Sequence, residues 1–208
     1  MSTMVDSRTD LSAFVAMVDA GPPALSGELR LVLDDDGLKV RLRHWLHANP
    51  SAAARRTLRK LLAEDIRGRL EGDTRSDHVD HLHAVCLLLC DYRDVRDSVL
   101  FSKARRIGDM DIGSAIDVEF IAAAGVDATR AYLVARGDDD AREAAREIQW
   151  LDSSTAVDTA GRFARYFCNE APHARDGRQD HEPDFDADAS RFYAERITAL
   201  QALAASDS

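Results

Sequence analysis

Lysine is nearly missing from this sequence: 3 Lys stand against 24 Arg, and among the acids 9 Glu stand against 28 Asp. With abundant alanine, this is the signature of a GC-rich coding bias, so Asp-rich or Arg-rich strings arise often by chance and carry little weight as motifs. Cysteine is scarce and odd in number. Three Cys leave at least one thiol outside any intramolecular disulfide, which excludes a closed disulfide framework and fits a reducing cytoplasm. Long apolar runs are missing too, so no segment is read as membrane-spanning. Met1–Asp10 has two Asp and one Arg without a basic-then-apolar layout, and reads as no signal peptide. There is no Gly-rich phosphate loop, no G-x-S-x-G, no H-E-x-x-H and no C-x-x-C. Nothing in the pattern assembles a nucleotide pocket, so the expectation is a protein that is not an enzyme and has no cofactor.

What is present describes a folded, helical chain. The 208 residues are 45% hydrophobic and 31% charged, which excludes a disordered polymer and suffices for one buried core. A single domain over 1–208 is expected. The net charge of −10 argues against sequence-independent nucleic-acid binding, which needs uncompensated cations to displace counterions from phosphates. That acidity is uneven. Lys39, Arg41, Arg43, Arg55, Arg56, Arg59, Lys60, Arg67 and Arg69 face only Glu64 and Asp65 within the same window, which carries +7 against −17 elsewhere. Such a split marks either a surface for an acidic partner or a solvated helix face that pairs with the chain's own acids.

The apolar spacing is helical almost throughout. Asp10 reads as the N-cap of a helix carrying Leu11, Phe14, Val15 and Val18, closed by Gly21-Pro22. After a segment from Leu25 to Leu33, Leu38–His47 sets Leu38, Leu42, Trp45 and Leu46 on one side. Asn49-Pro50 reads as the start of a helix running to about Leu70, with Leu58, Leu61, Leu62 and Ile66 on one face and Gly72 beyond. Ser76 or Asp77 opens a helix that is apolar all round from Ala84 to Cys90, the expected centre of the fold. Further helices are expected over Arg93–Ile107, Gly113–Ala124, Asp127–Arg136, Asp138–Leu151, Thr155–Cys168 and Ala189–Ala205. Residues 169–188, rich in Asp, Gly and Pro, read as an acidic loop or mobile segment. No segment sustains the period-2 alternation of a strand. The fold class expected is all-α, built from stacked antiparallel helices.

Within Asp127–Cys168, Ala141, Ala144, Ala145, Ile148 and Leu151 recur at i, i+3, i+4, i+7 and i+10, small residues that let helices approach closely. This stretch resembles a HEAT-type helical repeat. The resemblance implies an α-solenoid in the C-terminal half whose surface binds another macromolecule. It covers roughly 40 residues and fixes no function, because a fold alone does not.

Four constellations are candidate sites. His81, His83, Cys86 and Cys90, with Asp77, are the densest set of metal-ligand residue types, and His83, Cys86 and Cys90 share a helix face. The two thiols lie in the run Val85–Cys90, where Cys behaves as a small hydrophobe, so packing is the reading taken. A metal-dependent enzyme or metal sensor using the helix 77–90 is the alternative. Asp184, Asp186, Asp188 and Glu195 fall at EF-hand calcium positions, but Ala189 stands where that loop requires Gly, which favours a capping role for Asp186 or Asp188. Glu119, expected on an apolar helix face, has no evident catalytic partner and reads as one half of a salt bridge. Trp150 falls opposite the alanine stripe, either buried by a neighbouring helix, the preferred reading, or a hot spot for a partner. Trp45 carries the same ambiguity. The resulting expectation is a non-catalytic cytoplasmic helical domain that binds another protein, as a scaffold or an immunity- or antitoxin-type inhibitor. Its contact residues are expected to be Arg55, Arg56, Arg59, Lys60 and Trp150.

Overall fold

The computed structural model describes residues 10–20, 35–72, 79–107, 116–155, 157, 196 and 198–203. Among them every regular element is helical and there is no strand: α1 (Leu11–Ala20), α2 (Asp36–Ala48), α3 (Ala52–Leu70), α4 (Val79–Cys90), a 3-10 turn (Val95–Asp97), α5 (Ser98–Arg106), a second 3-10 turn (Val118–Ala122), α6 (Val126–Arg136) and α7 (Asp139–Glu147). Residues 196 and 198–203 are helical too, within the expected Ala189–Ala205 span. The segment Leu25–Leu33, most of Thr155–Cys168, the span 169–188 and the Asp184–Glu195 calcium constellation lie outside the described residues.

Side-chain caps set the helix starts. The Asp10 carboxylate accepts from the Ser12 and Ala13 N–H groups at 3.0 and 3.2 Å, and Asp35 accepts from Leu38 N–H at 2.9 Å. Asp138 does the same for Ala141 at 2.8 Å. Each satisfies backbone donors that have no carbonyl one turn earlier. At Asn49-Pro50 the expected cap is displaced by two residues. The Ser51 hydroxyl caps α3 by accepting from Ala54 N–H at 3.0 Å, while Asn49 closes α2, its side-chain amide donating to Trp45 O at 2.8 Å. Asn49 is thus spent on the exposed carbonyls of the preceding helix, and the shorter Ser side chain takes the start of the next.

The centre is α4. Residues 81–90 are buried without exception, and the helix packs against α2, α3 and the second 3-10 turn. Leu58, Leu61, Leu62 and Ile66 of α3 and Leu38, Leu42 and Leu46 of α2 complete the same core. A helix apolar on all sides has no solvent face to offer, which is why it takes the middle.

Beyond α4 the helices are shorter than the spacing predicts. The expected Arg93–Ile107 helix begins as a 3-10 turn capped by Asp94, which accepts from Arg96 N–H at 3.0 Å, before α5 proper. The described part of the expected Gly113–Ala124 helix is the second 3-10 turn. The α7 helix stops at Glu147 rather than Leu151, and the carbonyls of Ile148, Gln149 and Leu151 turn onto the Arg130 guanidinium of α6 at 3.2, 3.2 and 2.6 Å. Three backbone acceptors thus meet one side chain past the helix end, and the Ile148 carbonyl also accepts from Leu151 N–H at 3.1 Å in a tighter turn. Ala141, Ala144 and Ile148 are fully buried, so the small-residue stripe faces inward as expected. Gly137, with φ +67°, joins α6 to α7 in the left-handed conformation that a Cβ disfavours. The α7 helix then packs on both α6 and α5.

Candidate functional site: a groove rimmed by cations

The α3 helix lies against α1 on one side and α5 on another, and this splits the basic window. Arg56 pairs with Asp19 of α1, and the Lys60 ammonium donates to the Val18 carbonyl. Arg55 and Arg59 turn the other way, to Asp94 at 3.2 and 2.7 Å, and Arg59 also pairs with Asp97. Arg67 and Arg69 bridge to Glu64 and Asp65 on their own helix, while Lys39 and Arg43 are buried. The cations therefore form no single face, and the chain's own carboxylates hold most of them.

Two of the expected contact residues do meet at one place. Arg59 and Lys60, with Ala63, line an open groove of about 460 Å³. The α5 wall is Val99, Leu100 and Lys103, and Arg96 and Asp97 of the first 3-10 turn with Arg136 at the end of α6 complete the lining. Both long walls use positions i, i+1 and i+4, the residues that share one helix face. Five cations thus ring an apolar strip of Ala63, Val99 and Leu100. Arg55, Arg56 and Trp150 are not part of it.

Carboxylates set behind the rim orient these cations. Asp94 accepts from Arg96 Nε at 2.9 Å as well as from Arg55 and Arg59. Burial alone would raise the Asp94 carboxyl, but the hydrogen bonds from Arg96 and Arg59 outweigh it and hold the group well below the ordinary carboxylate range. Asp97 is deeper, 2% exposed, and burial pushes its carboxyl above the ordinary value while the Arg59 hydrogen bonds pull it back only in part. On the far side Lys103 Nζ meets Asp140 Oδ2 at 2.6 Å, and Arg136 Nε meets Asp138 Oδ2 at 2.6 Å. Arg136 also donates to the Tyr132 hydroxyl at 3.2 Å.

A raised carboxyl in a cleft is one mark of an acid–base residue, and Asp97 is held in place by the Arg59 guanidinium. The Ser98 hydroxyl donates to Val95 O at 2.7 Å and the Ser102 hydroxyl to Glu147 at 2.6 Å, so both point away from the groove's cations.

The other constellations fall elsewhere. His81, His83, Cys86 and Cys90 are buried in the core on α4, with the His83 ring edge-on to Phe120 at 5.3 Å between centroids. Burial pushes the Cys86 thiol well above its ordinary pKa, which opposes the thiolate form a metal requires. Among the described residues no group of three or more His, Cys, Asp or Glu side chains is arranged to hold a metal. Glu119 is half-buried on the second 3-10 turn, off the regular helix face expected of it. Trp45 is half-buried against the core.

Trp150 overturns the preference for burial: it is 84% exposed. Because α7 ends before it and Arg130 grips the flanking carbonyls, the indole projects from a turn instead of lying under a neighbouring helix.

Arg96, Lys103 and Arg136 escaped the sequence reading because each is one cation in a mixed-charge helix. Only packing brings them to Arg59 and Lys60. No described helix is long and apolar enough to cross a membrane. Comparison of the chain with protein-family models, with curated proteins and with solved structures gives no match in any of the three.

Proposed function

We propose that this chain is a non-catalytic, cytoplasmic protein-binding domain, a scaffold or an immunity-type inhibitor, and that the groove between α3 and α5 is its contact surface. The observation that carries this reading is the combination of five cationic side chains with an apolar strip in one open groove. Protein contacts use apolar cores with polar rims, and charge at the rim sets partner choice and association rate. The exposed Trp150 indole is a second contact point outside the groove, and Arg55 and Arg56 flank it on α3. The α6–α7 pair, joined at Gly137 with Ala141 and Ala144 facing inward, serves in this reading as one unit of a HEAT-like stack.

The test is affinity capture from the native host with wild-type protein and with the double variant Arg96→Glu, Arg136→Glu. These side chains are 59% and 36% exposed, so reversal alters the rim without opening the core. Loss of the captured protein from the variant supports the reading. Undiminished capture removes the groove from that role, and stoichiometric zinc in the purified protein overturns the non-catalytic assignment.

A further inference from the structure

We infer that the groove takes an acidic polypeptide segment with apolar side chains between its carboxylates, and that this segment enters by displacing the protein's own Asp140 from Lys103. The inference rests on the groove being the contact surface. Its starting point is the start of α7. Asp138, Asp139 and Asp140 form a short acidic run, and two of the three reach groove cations: Asp138 to Arg136 and Asp140 to Lys103, both at 2.6 Å. Asp139 does not; it is almost wholly exposed and pairs with Arg142. The chain thus sets its own carboxylates against one wall of the groove.

The two contacts are not equivalent. Asp138 is the N-cap of α7, held through Ala141 N–H at 2.8 Å, and cannot leave without unravelling that helix start. Asp140 has no such backbone duty among its recorded contacts; its second cation, Arg106 Nη2, lies 3.9 Å from Oδ1, at the limit of an ion pair, and both Asp140 and Lys103 are 40% exposed. An exposed ion pair of this kind is weak, so exchange of one carboxylate for another at Lys103 costs little. Arg59, by contrast, is tied to the buried Asp97 and stays in place as a fixed positive wall.

The shape of the lining selects the ligand class. A free phosphate needs donors converging on one point, and where Arg59 and Arg96 do converge the place is already taken by Asp94 Oδ2, at 2.7 and 2.5 Å; the rest of the lining includes the apolar Ala63, Val99 and Leu100. A nucleic acid needs a field of uncompensated cations along its whole backbone, whereas here Asp94, Asp97 and Asp138 keep their cations and Lys103 is the place open to exchange, which suits a chain whose carboxylates are spaced by apolar groups. Alternating carboxylate and apolar groups satisfy both rim and floor.

The experiment is fluorescence anisotropy with a labelled twelve-residue Glu/Leu peptide, an equally long single-stranded oligonucleotide and tripolyphosphate as competitor. The full-length chain is used throughout. Lys103→Glu is expected to weaken peptide binding by about tenfold or more. Asp140→Asn is expected to strengthen it by about two- to fivefold, the yield of freeing one exposed ion pair. Asp139→Asn removes the same charge one residue away without touching the groove, and is expected to change affinity by less than about 1.5-fold at physiological salt, where such distant charges are screened. If Lys103→Glu weakens binding while Asp140→Asn and Asp139→Asn behave alike, the groove is the contact surface and the displacement step is wrong. Peptide binding indifferent to Lys103→Glu and Arg136→Glu overturns both. Tighter binding of the oligonucleotide, or displacement of the peptide by tripolyphosphate at equal charge concentration, overturns the acidic-polypeptide class.

Discussion

Arg196 and Asp91 form an ion pair 105 residues apart in sequence, with Nε to Oδ2 at 2.7 Å and side chains 0% and 1% exposed. The same guanidinium donates to Leu46 O at 3.3 Å, His47 O at 3.0 Å and Leu88 O at 2.8 Å, and lies over the Tyr92 ring at 5.6 Å. These carbonyls belong to the last turns of α2 and α4, where helices leave acceptors without partners and the dipole is negative. One planar cation closes both helix ends and ties the C-terminal helix to the core. Arg196→Met is expected to lose about 3–5 kcal/mol, because Asp91 is left as a buried charge without its guanidinium. Arg196→Lys is expected to rescue little, since an ammonium cannot reach a carboxylate and three carbonyls from a planar fork. Urea denaturation followed by circular dichroism measures both. A loss below about 1 kcal/mol would show that the C-terminal helix does not depend on this residue.

His47 makes stability fall in acid. Burial, then the Arg196 guanidinium, then His44 lower its pKa from 6.5 to about 3. In the unfolded chain the imidazole takes up a proton near 6.5, while in the folded protein it stays neutral. Between those values the unfolded state binds more protons, so stability is full above about pH 6.5 and declines as pH drops toward 3. His44 shifts in the same direction, through burial and Arg43. Asp97 works oppositely, because its raised carboxyl keeps a proton in the folded state just above the ordinary carboxylate range. The expected outcome is a lower melting temperature at pH 5 than at pH 7.5, with the difference reduced in His47→Gln. An unchanged difference in that variant would assign the acid sensitivity to other groups.

Trp150 should be silent in stability and prominent in spectroscopy. Its exposure leaves little apolar area to lose, so Trp150→Ala is expected to change unfolding free energy by no more than about 0.5 kcal/mol. The second tryptophan, Trp45, packs against the core. Iodide should therefore quench the Trp150 share of the emission and leave most of the remainder, and Trp150→Phe should blue-shift the spectrum. If quenching is equal in wild type and variant, the indole is covered in solution.

The helices themselves were legible from spacing and caps. The Leu58, Leu61, Leu62 and Ile66 stripe, the all-round apolar stretch Ala84–Cys90, and Asp10 as an N-cap each act through near neighbours in the chain, which a linear reading reaches. Helix ends were less legible. Asn49 has two ends within reach, and its use on Trp45 O rather than on α3 depends on what Ser51 offers instead. Trp150 was misplaced because the helix carrying it stops early, and the cause is Arg130, some twenty residues back on another helix.

Helical content, an inward stripe of small residues and a central greasy helix follow from local order, since hydrophobic periodicity and capping act within one or two turns. Which charges meet was decided only by packing. Lys60 and Lys103 look alike in the sequence, yet one donates to the Val18 carbonyl and the other pairs with Asp140 of α7. Arg196, one arginine among 24, became the most buried cation of the described structure because the ends of two helices converge on it. Coulomb and hydrogen-bond energies fall off over a few ångströms, so the partner of a long flexible side chain is fixed by distance in space and not by distance along the chain.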